Sequence, residues 1–92
     1  MKKMHDDNYY FNVIRKNIKK YRKLNNLTQQ QLADKCGLTM NYIAKIESDR
    51  MQRGFTISVL GRIADALEID IRELFDDVEV YQKNDDLFEK IV

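Results

Sequence analysis

Proline is absent from these 92 residues, and glycine occurs three times, as Gly37, Gly54 and Gly61. Long helical stretches are therefore permitted, and the few breakers carry positional information. Cysteine occurs once, at Cys36, which excludes an intramolecular disulfide and a Cys-rich zinc module and agrees with a reducing compartment. Histidine also occurs once, at His5, so there is no partner set for a His-based metal site or a Cys–His nucleophile pair. No run approaches the roughly 18 consecutive apolar residues of a membrane span, and Met1-Lys2-Lys3 is not followed by an apolar signal segment. These absences lead to the expectation of a soluble, cytoplasmic chain with no cofactor, no metal, no membrane contact and no enzymatic step. The length allows one small core, and 43% apolar with 34% charged residues argues against a disordered chain or a fibre.

Charge of one sign is scarce only when the chain is read in two parts. Residues 1–62 hold thirteen Lys or Arg against five Asp or Glu, a net +8, whereas residues 63–92 hold three against ten, a net −7. A positive N-terminal two-thirds is what phosphate neutralisation requires, and an acidic C-terminal third would be repelled by a polyanion. Two ordinary solvated faces would give the same composition.

Apolar periodicity predicts an all-α domain of five helices over residues 9–77, preceded by a tail of residues 1–8 and followed by an extension of residues 78–92. Phe11, Ile14, Ile18 and Tyr21 recur at three- and four-residue spacing from about Tyr9 to Asn25. Thr28 with Gln31 makes a capping box that opens a second helix at Gln29, with Leu32, Ala33 and Cys36 inward and Gly37 at its end. Thr39 caps a third helix over Met40 to Glu47, with Ile43 and Ile46 inward. Thr56 caps a fourth, striped by Ile57, Leu60, Ile63, Ala64 and Leu67. Asp70 with Glu73 repeats the capping box ahead of a short fifth helix holding Ile71, Leu74 and Phe75. In the extension, Val78, Val80 and Tyr81 alternate before Leu87, Phe88 and Ile91 return to helical spacing, a segment too apolar for a plain disordered end and too short to fold alone.

The informative stretch is Thr28 to Glu47, reading Thr-Gln-Gln-Gln-Leu-Ala-Asp-Lys-Cys-Gly-Leu-Thr-Met-Asn-Tyr-Ile-Ala-Lys-Ile-Glu. Small Ala33 admits a second helix closely, Gly37 turns the chain, and Leu32, Ile43 and Ile46 wedge the pair together. This is the logic of a helix-turn-helix, whose second helix stands out as a ridge fitting the roughly 12 Å major groove of B-DNA. The stretch, with its flanking helices over residues 11–76, resembles the lambda-repressor and Cro-like (Xre-type) transcriptional regulators, which include small phage repressors and restriction-modification controller proteins.

The resemblance implies that Met40 and Asn41, with Lys45 a turn further on, face base edges. Helical geometry separately turns Asn41, Ala44, Lys45 and Ser48 away from an inward Ile43 and Ile46, with Tyr42 on the flank. Asn41 suits adenine, Lys45 suits guanine, and Met40 or Ala44 can pack on a thymine methyl. Gln29 resembles the family glutamine that bonds a backbone phosphate; Tyr42, Arg50 and Arg53 are further phosphate candidates, against the alternative that each is an ordinary exposed polar residue. Arg22 and Glu47 resemble a structural ion pair between the first and third helices. The sequence departs from the family at Ser48-Asp49-Arg50, where an Asn-Gly turn is common, and at Gly61, inside a helix, where a close backbone approach or a plain helix defect are equal explanations.

One reading helix covers four or five base pairs, so a twofold dimer on a double-stranded, near-palindromic operator is expected, with helices about 34 Å apart. Its candidate surface is the outer face of the fourth helix, the fifth helix, and Val78, Val80, Tyr81, Leu87, Phe88 and Ile91; these residues could instead cap their own core. The leading expectation is a transcriptional repressor or autoregulator. The alternative is an antitoxin-like DNA-binding protein whose C-terminal segment binds a partner protein. Chemistry is a third class, and no residue set supports it; Asp76, Asp77, Asp85 and Asp86 lack the spacing of a calcium loop.

Overall fold

Four helices arise where the caps and the apolar period place them. The computed structural model describes residue 6, residues 8–49 and residues 54–77, and among these the elements are α1 (Tyr9–Leu24), α2 (Gln29–Cys36), α3 (Met40–Glu47), α4 (Ile57–Leu67) and a 3-10 turn (Ile71–Phe75). No strand occurs among the described residues. Thr28, Thr39 and Thr56 sit in extended backbone, and each hydroxyl accepts the N–H three residues on, from Gln31, Tyr42 and Val59 at 3.0, 3.1 and 3.2 Å. Each cap of this kind contributes about 1 kcal/mol by satisfying an N–H that has no partner within its helix.

Three helices end alike, on a residue at positive φ: Asn26 (57°), Gly37 (70°) and Glu68 (59°). In each case the next N–H reaches back five residues, Leu27 to the Arg22 carbonyl, Leu38 to Ala33 and Ile69 to Ala64, at 3.1, 2.9 and 3.0 Å. This is the Schellman closure. Glycine meets it without strain at Gly37, and asparagine tolerates it at Asn26. Glu68 adopts it against a Cβ penalty of about 1 kcal/mol.

The core is one cluster: Ile14 and Ile18 from α1, Leu32, Ala33 and Cys36 from α2, Ile43 and Ile46 from α3, Leu60, Ile63, Ala64 and Leu67 from α4, and Leu74 from the 3-10 turn. Full burial of each Leu or Ile contributes about 1.5–3 kcal/mol relative to exposure. α2 packs against both α3 and α4, while α1 lies across α3, α4 and the 3-10 turn.

The expected fifth helix is instead the 3-10 turn. Its capping box forms, with Glu73 Oε2 accepting the Asp70 N–H at 3.1 Å. Asp70 Oδ1, however, accepts from Arg72, two residues on, and the Glu73 N–H bonds the Asp70 carbonyl at 2.9 Å, an i→i+3 closure. Only five residues follow before extended Asp76, too few to repay the tighter nucleus with α-helical bonds. At the far end Asn17, buried in α1, donates Nδ2 to the Leu74 and Asp76 carbonyls at 2.8 and 2.7 Å. Gly61 offers no close approach within the chain, since an added Cβ would meet nothing within 4 Å.

Candidate nucleic-acid interface

α3 owes its outward stance to what lies behind it. Ile43 and Ile46 are wholly enclosed, so the opposite side of the helix must face out. Met40 is 46% exposed, Asn41, Lys45 and Ser48 are exposed, and Ala44 and Tyr42 are half-buried. Tyr42 rests its ring against the core, and the Ser48 hydroxyl donates to the Lys45 carbonyl at 3.3 Å. Met40, Asn41 and Lys45 thus present a thioether, an amide and an ammonium from one short rod, a mix suited to base edges and thymine methyls.

The joint with α2 sets where that rod stands. Gly37 and the Thr39 cap leave Leu38, half-buried against the core, as the hinge between the two helices. Behind the joint, Arg22 and Glu47 meet in a bidentate pair: Arg22 Nε donates to Glu47 Oε2 at 2.7 Å and Nη2 to Oε1 at 2.9 Å. The side chains are only 11% and 3% exposed. Arg22 Nη1 also donates to the Leu27 carbonyl at 2.7 Å, so one guanidinium holds the end of α1, the loop into α2 and the end of α3. The Glu47 hydrogen bonds hold the Arg22 guanidinium above its ordinary range, while partial burial opposes them.

Gln29 stands half-buried at the first turn of α2, and its Nε2 donates to Glu47 Oε1 at 3.2 Å. Among the described residues the Thr28 hydroxyl takes the Gln31 N–H and the Thr28 carbonyl that of Leu32, which leaves the N–H groups of Gln29 and Gln30 for an acceptor beyond the helix end. Arg50 and Arg53 lie outside the described residues, as do Val78, Val80, Tyr81, Leu87, Phe88 and Ile91.

Beside the Asn17 contacts, three further placements were absent from the sequence reading. Arg15 meets Asp49 at 3.5 Å, next to the end of α3. Phe11 lies edge-on to Phe55 with centroids 5.4 Å apart, and its ring occupies the space that a Cβ on Gly54 would need. The third is Gln29 on Glu47. Loop partners leave no local signal, but a glutamine two residues beyond Leu27, whose carbonyl Arg22 grips, stands within reach of that arginine's carboxylate.

Comparison with known proteins agrees with this arrangement. The helix-turn-helix family model matches residues 18–74, which span the end of α1, both helices of the joint, α4 and most of the 3-10 turn. The chain belongs to the Cro/C1-type helix-turn-helix family of DNA-binding regulators. Among its relatives, control protein C.SmaI of Serratia marcescens is 39% identical over 62 residues, 67% of this chain and 71% of that protein. The restriction-modification controller protein C.AhdI of Aeromonas hydrophila superposes with a TM-score of 0.65 at 28% identity, covering 71% of this chain and 96% of that one. SinR, a master regulator for biofilm formation solved in complex with DNA, superposes at 0.63 and 28% identity over 68% of this chain and 98% of its own. It has also been solved in complex with SinI protein, a match covering 85% of this chain and 73% of that one at a TM-score of 0.65 and 28% identity. Among the described residues of this helix-turn-helix chain, no helix is long and apolar enough to cross a membrane.

Proposed function

We propose that this protein is a sequence-specific transcriptional regulator, a repressor or autoregulator, that binds a near-palindromic double-stranded operator as a homodimer with α3 in the major groove. The observation that carries this reading is the free outer side of α3, held off the core by Ile43, Ile46 and the buried Arg22–Glu47 pair. Met40, Asn41, Ala44 and Lys45 read base edges; Gln29, Tyr42, Arg50 and Arg53 hold phosphates. The likeness to controller proteins, and to a regulator solved on DNA, supports the same reading.

Selection of bound duplexes from a random pool at stated salt tests it. We expect a symmetric preferred site, with Asn41→Ala and Lys45→Ala each relaxing preference at particular base pairs by about 1–3 kcal/mol. Equal weakening on every sequence would remove direct readout. Sedimentation of the full chain and of a chain truncated after Asp77 measures the part played by the extension in the dimer, and an unaltered dimer would sink that part.

The SinR–SinI complex favours a second reading, in which the chain binds DNA and its C-terminal segment grips another protein. Copurification of one defined polypeptide, lost on the same truncation, would establish it.

A further inference from the structure

We infer that Glu47 is a positioning residue for DNA binding, orienting the Gln29 amide so that one donor faces outward; this rests on the reading of Gln29 as a phosphate contact. Hydrogen-bond capacity sets the orientation. A buried carboxylate only accepts, and bidentate Arg22 leaves Glu47 Oε1 able to take one more donor. Gln29 Nε2 supplies it at 3.2 Å. Facing an acceptor-only group, the amide has one favourable orientation: its oxygen turns away and its NH2 toward Glu47.

An NH2 group has two hydrogens. One is taken by Glu47; the second is the side-chain donor that Gln29 retains, at the helix end where the Gln29 and Gln30 N–H groups are left by the cap. A phosphate oxygen accepts and cannot donate, so a flipped amide would meet it oxygen to oxygen. Glu47 is the last residue of α3, so the same carboxylate anchors the reading helix and selects the orientation of the phosphate donor on α2. The docking register of α3 and the grip on the backbone are thereby set by one group. Removing the carboxylate releases the amide to rotate, at a loss larger than stability alone accounts for.

The test uses the selected operator with each phosphate in turn replaced by a neutral methylphosphonate, bound by the full-length protein. For the wild type we expect one phosphate per half-site whose neutralisation weakens binding roughly tenfold, an effect absent in Gln29→Ala. In Glu47→Gln, kept folded by low temperature and checked by circular dichroism, the penalty at that phosphate should fall below about threefold while the other phosphates keep theirs. An undiminished penalty there, or equal weakening across all phosphates, overturns the positioning role and leaves Gln29 as a phosphate contact. A map in which no phosphate depends on Gln29 removes the contact as well. If Glu47→Gln does not fold, NMR relaxation of the wild-type side-chain amides decides: a Gln29 amide more ordered than the exposed Asn41 amide supports the anchor, and one no more ordered overturns it.

Discussion

α1 carries two buried polar residues that hold opposite ends of the molecule in different ways. Arg22 grips α3 through a carboxylate, with two parallel bonds whose fork geometry fixes an angle as well as a distance. Asn17 grips the 3-10 turn through two backbone carbonyls, and its own Oδ1 meets no donor among the described residues. The first clamp sits behind the outer side of α3, the surface proposed to meet DNA, and is directional. The second closes the last turn of the domain, and the unmet acceptor offsets part of what its two bonds contribute. Orientation is enforced at the α3 end, and closure alone at the other.

The comparison breaks most visibly at the ionic clamp. Arg22→Ala should strand Glu47 inside the fold and cost about 3–5 kcal/mol in urea unfolding, with DNA binding lost alongside; an unchanged melting temperature would refute the pair as a structural element. Asn17→Ala should cost less, about 2 kcal/mol, because two carbonyls lose their donor while the unmet Oδ1 disappears with it. Its folded fraction should still bind DNA with unchanged base preference.

The capping boxes sharpen the contrast, and the Thr28 box contributes about 1 kcal/mol. Thr28→Ala should lower both melting temperature and DNA affinity, since it frays the turn that holds Gln29. Asp70→Ala should lower the melting temperature and leave affinity alone. The smallest effect concerns acid. Hydrogen bonds from Arg72, first its side chain and then its backbone N–H, hold the exposed Asp70 carboxyl below its usual range. A value lower folded than unfolded means that this contribution is present above about pH 4 and is lost as pH falls through the folded value. NMR titration should find the Asp70 carboxyl returning toward its ordinary range in Arg72→Ala.

How much was legible follows the same division. α1 to α4 could be placed because each carries an apolar stripe, α2 to α4 add a threonine hydroxyl one residue before the helix, and Asn26 or Gly37 stands beyond two of the ends. The Asp70–Glu73 signal was equally clear as a cap, but a cap records where winding starts and not how tightly it proceeds; the five residues available and the Asp70–Glu73 closure decided that. Arg22 and Glu47 could be paired because opposite charges stand at positions the family resemblance singles out. Asn17 could not, since its acceptors are main-chain carbonyls that every residue possesses. Its trace was an amide between Ile14 and Ile18 on an otherwise apolar stripe, a polar residue where the period demands burial. The link from Gln29 to Glu47 was hidden for a related reason, because each already had another role to fill.

Cys36 has a practical consequence. The chain's single thiol, at the end of α2, is 6% exposed within the core cluster, and burial raises its pKa against the opposing pull of Arg62. A thiol so placed is slow to alkylate while the helices stay docked. The rate at which an electrophile labels the native protein therefore clocks how often the hydrophobic interior opens, and comparing that rate with and without an operator duplex would report how far binding suppresses such excursions, with no engineered probe.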